Sequence, residues 1–112
     1  MMSLWAKEYI KILQEGKEVS FHPHGKSMEP VIMNGELVTV EPVRHSLKVG
    51  DIVLCRVNKS VYLHFIKEKK HIDPPKAYHM NDLYSYQIGS NKGKINGWIS
   101  IRDIYGILVK KV

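Results

Sequence analysis

From Val19 onward the apolar residues recur in short runs with a period close to two, and turn signals close almost every run. This constrains the fold most, because a period of two puts successive side chains on opposite faces of a strand. Val19, Phe21 and Pro23 alternate with Ser20, His22 and His24. Further strands are predicted at 36–41, 51–57, 60–67, 84–88 and 104–112. Between them lie Asn34-Gly35, Val49-Gly50-Asp51, Asn58-Lys59, Asp73-Pro74-Pro75, Gly89 to Gly93, and Asn96-Gly97, all of them turn chemistry. The clearest hairpin joins 51–57 to 60–67 through Asn58-Lys59. Short, evenly spaced strands argue for a mostly β, barrel-like domain. The polar, basic stretch from Lys67 to Asp82, broken by two prolines, reads as an irregular loop.

The first residues follow a different period. Trp5, Tyr9 and Ile12 fall at i, i+4 and i+7, and Leu4, Ala6, Ile10 and Leu13 widen that stripe. This predicts one amphipathic helix at 3–15, with Ser3 able to cap it and Gly16 able to end it. A helix packed on its own domain is favoured over one that docks a partner. A chain of 112 residues has room for one core, so 1–112 reads as a single domain, a helix followed by a β core at 19–112.

Composition narrows the partners. The net charge is +6, but only Lys67, Lys69 and Lys70 and the pair Lys110 and Lys111 cluster. A solvated surface is expected; nucleic acid is possible but not favoured. Cys55 is the single cysteine, so no internal disulfide can form. No apolar run is long enough for a transmembrane segment, and the chain reads as cytoplasmic. No cofactor or metal is expected: His22 and His24 share a strand face, but two ligands are too few. Nothing in the pattern fixes an oligomeric state.

Three local patterns carry chemistry: Gly25-Lys26-Ser27-Met28-Glu29-Pro30 followed by Asn34-Gly35-Glu36; Val49-Gly50-Asp51-Ile52-Val53-Leu54; and Val61-Tyr62-Leu63-His64-Phe65-Ile66. A fourth is Gly89-Ser90-Asn91 with the closing run Tyr105-Gly106-Ile107-Leu108. In this order they resemble the signal peptidase and LexA superfamily of serine proteases, over roughly residues 19–112. That family shows a Ser-Met-x-Pro box, two Gly-Asp turns into strands, a strand bearing the base, a Gly-Asp-Asn box and a final strand.

The resemblance implies a small β-rich peptidase core acting on a peptide or protein substrate. It places Ser27 as nucleophile and His64 as general base, the histidine branch of a superfamily whose bacterial signal peptidases and LexA-type repressors use lysine. A serine hydroxyl needs such a base within hydrogen-bond reach, and a neutral imidazole serves at physiological pH without special desolvation. Strand parity puts Tyr62, His64 and Ile66 on one face and Lys67 on the other, so Lys67 is a poor substitute. Met28 is expected to line a pocket for a small side chain, and the backbone N–H of Ser27 to serve the oxyanion. Gly25 stands where relatives often carry a further hydroxyl donor.

The acids that orient the histidine in that branch are absent here. Ser90, Asn91, Asn96 and Asp82 are the candidates for that role, with Asp103 as another acid in reach. An amide holds an imidazole but does not stabilise an imidazolium as a carboxylate does.

Each residue also has a plainer reading. Ser27 is a turn serine, His64 a packed histidine, and Asp51 and Glu36 are turn residues after glycine. Cys55 is a small buried side chain, and Trp98 a core plug rather than a ligand platform. Three functions compete. The first is a small serine peptidase with a Ser27–His64 dyad. The second is a weak or inactive peptidase fold acting as a binding or regulatory module, in keeping with the missing acid and anchor. The third is a fragment of a LexA-like regulator; the 18 residues before the first strand are too few for a helix-turn-helix domain, and no upstream Ala-Gly or Cys-Gly site is present.

Overall fold

The computed structural model describes residues 4–72 and 80–111. The Ser3 cap and the Asp73-Pro74-Pro75 turn lie outside them. Helix α1 spans Lys7–Gln14 and follows a 3-10 turn at Leu4–Ala6. Its N-cap is Ala6, with no side-chain hydrogen bond. The anchor is burial instead: Ala6, Ile10 and Leu13 are all shielded from water. Its exit is a Schellman motif, with Gly16 at φ 87°, its N–H donating to Leu13 O and that of Lys17 to Ile12 O.

The strands are β1 Val19–Phe21, β2 Val38–Glu41, β3 Ile52–Val57, β4 Ser60–His71, β5 Tyr84–Gly89, β6 Ile95–Ile99 and β7 Ile104–Lys111. They form one antiparallel sheet in the order β1-β2-β7-β3-β4-β5-β6. The fold is therefore mostly β, as expected, but the sheet is open: β1 and β6 are its two edges and do not pair. The barrel expected from strand spacing is replaced by a sheet whose middle strand, β3, is buried on both faces.

Alternation along β3 splits the interior. Ile52 and Leu54 enter a core with α1, Phe21, Met28, Ile32 and Leu63. Val53, Cys55 and Val57 enter a second core with Ile66, Tyr86, Ile88 and Ile99. Gly106 of β7 is what lets α1 come close. A Cβ there would meet Val40 at 2.6 Å, the Glu41 carbonyl at 2.8 Å and Leu13 at 3.1 Å.

Several boundaries differ from the sequence reading. β4 runs on to His71, through residues predicted to be loop. Their polarity is overridden by pairing with β5, from Phe65↔Gly89 to His71↔Tyr84. β6 forms across Asn96-Gly97, predicted to be a turn; Gly97, at φ 146°, lies beside a register shift at Ile88/Gly89, where a strand glycine serves a bulge. Trp98 is 44% exposed rather than a core plug, because its strand is an edge. Glu36 stays out of β2, since its carboxylate accepts the Met33 N–H at 2.8 Å and closes a turn. β1 stops at Phe21, so His22 and His24 follow it in a loop. Among the described residues no helix is long and apolar enough to cross a membrane.

Candidate active site

The connection from β1 to β2 carries Ser27, and polar contacts within it hold its shape. Gly25, at φ 120°, turns the chain where a side chain would be strained, and its N–H donates to Asn34 Oδ1 at 2.8 Å. The Asn34 N–H donates to Glu29 Oε2 at 3.1 Å, and Ile32 N–H to Met28 O at 2.9 Å. Met28 and Ile32 are buried and anchor the loop in the α1-side core. The β5–β6 turn clamps it from the far side. The Asn91 N–H donates to Ser27 O at 3.0 Å, and Asn91 Nδ2 to Glu29 O at 2.9 Å. The serine backbone is thus fixed while its side chain stays exposed.

His64 is presented by β4 at a point where that strand changes partners. Residues Ser60–Phe65 pair with β3, and Phe65–His71 with β5. The edge of β4 opposite β3 is therefore free of the β5 ladder at His64, and Ser27 and Asn96 approach the imidazole there. Ser27 Oγ lies 2.9 Å from His64 Nε2. Asn96 Oδ1, from β6, lies 2.7 Å from His64 Nδ1. An amide oxygen only accepts, so the ring proton sits on Nδ1 and Nε2 is left to accept the serine hydroxyl.

The imidazole is 6% exposed and tilts against the Tyr62 ring at 4.8 Å. Burial, the largest influence, pushes its pKa below the ordinary histidine value of 6.5; the Asn96 hydrogen bond opposes this, and the charges of Lys94 and Lys67 push with burial. His64 is consequently neutral at physiological pH. The three side chains form one hydrogen-bonded series.

The other candidates fall elsewhere. Ser90 does not reach His64: its hydroxyl accepts the N–H groups of Lys92 and Lys94 at 3.2 and 3.1 Å and shapes its own turn. Asn91 holds the serine loop rather than the histidine. Asp82 is not the orienting acid, since it lines a separate hollow beside Arg44 and His45. Asp103 pairs with Arg56 at 3.2 Å. Lys67 has its ammonium 5.2 Å from the Phe65 ring centre, not at Ser27. His22 Nδ1 donates to the Gly35 carbonyl at 2.9 Å, and His22 and His24 both border the hollow beside Ser27. Cys55 is fully buried, and burial pushes its thiol pKa up.

Ser27 and His64 open onto a pocket of about 410 Å³. Gly25 and Met28 line it, with Trp5, Ile32, Val61 and Leu63. Sequence reasoning did not place Trp5 here. Its helical period was legible, but the docking of that helix beside the serine loop is tertiary.

A family model described as Peptidase S24-like matches residues 7–73, which include Ser27 and His64 and end before Asn91 and Asn96. No curated protein and no solved structure gives a significant match. The match covers more than half of the chain, and with the fold and the Ser27–His64 juxtaposition it identifies this protein as a member of the Peptidase S24-like family, within the superfamily of LexA-type and signal peptidase-type serine proteases.

Proposed function

We propose that the chain is a serine peptidase in which Ser27 is the nucleophile, His64 the general base and Asn96 a positioning residue. The observation that carries this reading is the hydrogen-bonded series Ser27 Oγ, His64 Nε2, His64 Nδ1, Asn96 Oδ1, at 2.9 and 2.7 Å. Neutral His64 takes the hydroxyl proton as Oγ attacks the substrate carbonyl. The Ser27 N–H, which has no acceptor among the described residues, donates to the oxyanion. The imidazolium then returns the proton to the leaving amine as the acyl–nitrogen bond breaks. A water, deprotonated by the same histidine, releases the acid.

One feature favours a second reading, a weak or inactive peptidase fold used as a binding or regulatory module. Asn96 is neutral, and Lys94 and Lys67 disfavour the imidazolium, so the charged intermediate is less stable than beside a carboxylate. Cleavage of a diverse peptide library by the purified chain separates the two. The peptidase reading expects turnover that Ser27→Ala lowers on the order of 10⁴-fold, with the fold unchanged by circular dichroism. A folded wild type that cleaves nothing supports the module instead.

A further inference from the structure

The pocket beside the Ser27–His64 pair is walled by an element outside the β core. Trp5 sits in the 3-10 turn that leads into α1, and its ring packs at 5.9 Å from Phe21 and 6.4 Å from Tyr9. Tyr9 and Phe21 themselves stack at 4.5 Å with 12° between planes. This aromatic group packs on the indole, yet Trp5 remains 45% exposed, and it lines the pocket. Met28, Ile32, Val61 and Leu63 supply further apolar lining.

The resemblance implied a pocket for a small side chain. The hollow holds about 410 Å³, the space over Ser27 and His64 included, within the usual range of ligand pockets, about 300–1,000 Å³, and its aromatic wall offers a broad apolar surface. An apolar wall rewards each buried methylene and offers a small side chain few contacts.

We infer that this pocket takes a bulky apolar side chain of the substrate next to the scissile bond, and that Trp5 is the residue that sets the preference. The inference rests on the peptidase reading for the word substrate; the apolar preference is argued from Trp5, Met28, Ile32, Val61 and Leu63, while His22 and His24 border the same hollow. Because α1 is held on the core by Ala6, Ile10 and Leu13, the indole is a fixed wall that a substrate side chain packs against.

The test has two arms. In the first, kcat/KM is measured on matched peptides with Ala, Leu or Phe before the scissile bond. Wild type is expected to prefer Leu and Phe over Ala by roughly tenfold or more, and Trp5→Ala to erase most of that preference while Trp5→Phe retains part of it. In the second arm, peptides are titrated into Ser27→Ala protein carrying Trp98→Phe, so that Trp5 is the single tryptophan reporting. The Leu and Phe peptides are expected to shift its fluorescence at concentrations at least tenfold below the Ala peptide. Absence of turnover with that binding order intact sinks the peptidase reading and upholds the pocket. Equal or better handling of Ala in either arm, or a preference that Trp5→Ala leaves unchanged, overturns the inference.

Discussion

The two halves of β4 are made from one continuous strand and do different things. Ser60–Phe65 is tied to β3 through the hairpin at Asn58-Lys59 and presents His64 toward Ser27 and Asn96. Phe65–His71 is tied to β5, puts Ile66 into the second core, and carries Lys69 across the Tyr84 ring. The hand-over falls at Phe65, one residue past the imidazole. A central strand saturated on both edges leaves no room for a loop beside it, whereas a strand that changes partners leaves one edge open for a few residues. The site occupies that opening. On this contrast, a change at His64 in the first half acts on turnover with the fold intact, and a change at Ile66 in the second acts on stability with turnover intact.

The largest expected effect is in the first half. On the peptidase reading, His64→Ala removes the proposed base and should lower kcat by about 10²–10⁴-fold, with little change in KM, since the pocket walls remain. A variant that keeps more than a tenth of wild-type turnover would remove the imidazole from the chemistry. In the second half, Ile66 is 1% exposed, and Ile66→Ala should cost about 2–5 kcal/mol of stability by denaturant unfolding. Its kcat, measured well below the melting temperature, should stay within about twofold of wild type. A kcat loss as large as that of His64→Ala would show that the two halves are not separable.

Asn96 sharpens the comparison, because it touches the first half from the far edge strand. Its bond to Nδ1 raises the imidazole pKa against burial. Asn96→Ala should therefore lower kcat by about 10–100-fold, the value of one lost hydrogen bond to a developing charge, and move the acid limb of the pH profile lower still. Asn96→Asp should move that limb upward and keep the rate at or above that of wild type, since a carboxylate stabilises the imidazolium better than an amide. In wild type the limb is expected below pH 6.5. The sign for stability follows from the same shift: the folded state binds the proton less readily than the unfolded chain. Stability is thus at its full value above pH 6.5 and falls as the pH drops toward the folded pKa. An acid limb that neither variant moves would leave Asn96 with a packing role only.

The difference between the halves was also a difference in legibility. The first half and its hairpin could be read because period-two alternation, Asn58-Lys59 and His64 all lie within a few residues. Ser27 was legible through the family resemblance, which the box around it carries only together with the three elements that follow in order. The second half ends in Lys67 to His71, whose composition looks like loop; only its partner β5 makes that stretch a strand, and that partner is distant in sequence. β6 was hidden by Asn96-Gly97, a dipeptide that serves turns and bulged strands alike. Asn96 was among several candidates to orient the histidine, and sequence could not separate it from Ser90 or Asp82, because the choice depends on where an edge strand lies. The open sheet was unreadable because strand spacing carries no information on whether the two edges meet.

The smallest expected effect tests the far end of β4. Lys69 Nζ donates to the Leu47 carbonyl at 2.9 Å and lies 4.0 Å from the centre of the Tyr84 ring. Both contacts use the ammonium, while the stem packs along the strand. Lys69→Met keeps most of the stem and removes the charge, so its cost is the hydrogen bond and the cation–π attraction together, about 1–2 kcal/mol at a partly exposed site. The loss should appear as a lower unfolding midpoint with an unchanged denaturant slope. Turnover should not move, since this end of the strand lies beyond the partner change and makes no contact with Ser27, His64 or Asn96. An unaltered midpoint would mean that the paired half is held by Ile66, Tyr86 and Ile88 alone, and that Lys69 serves only to keep its polar end in water.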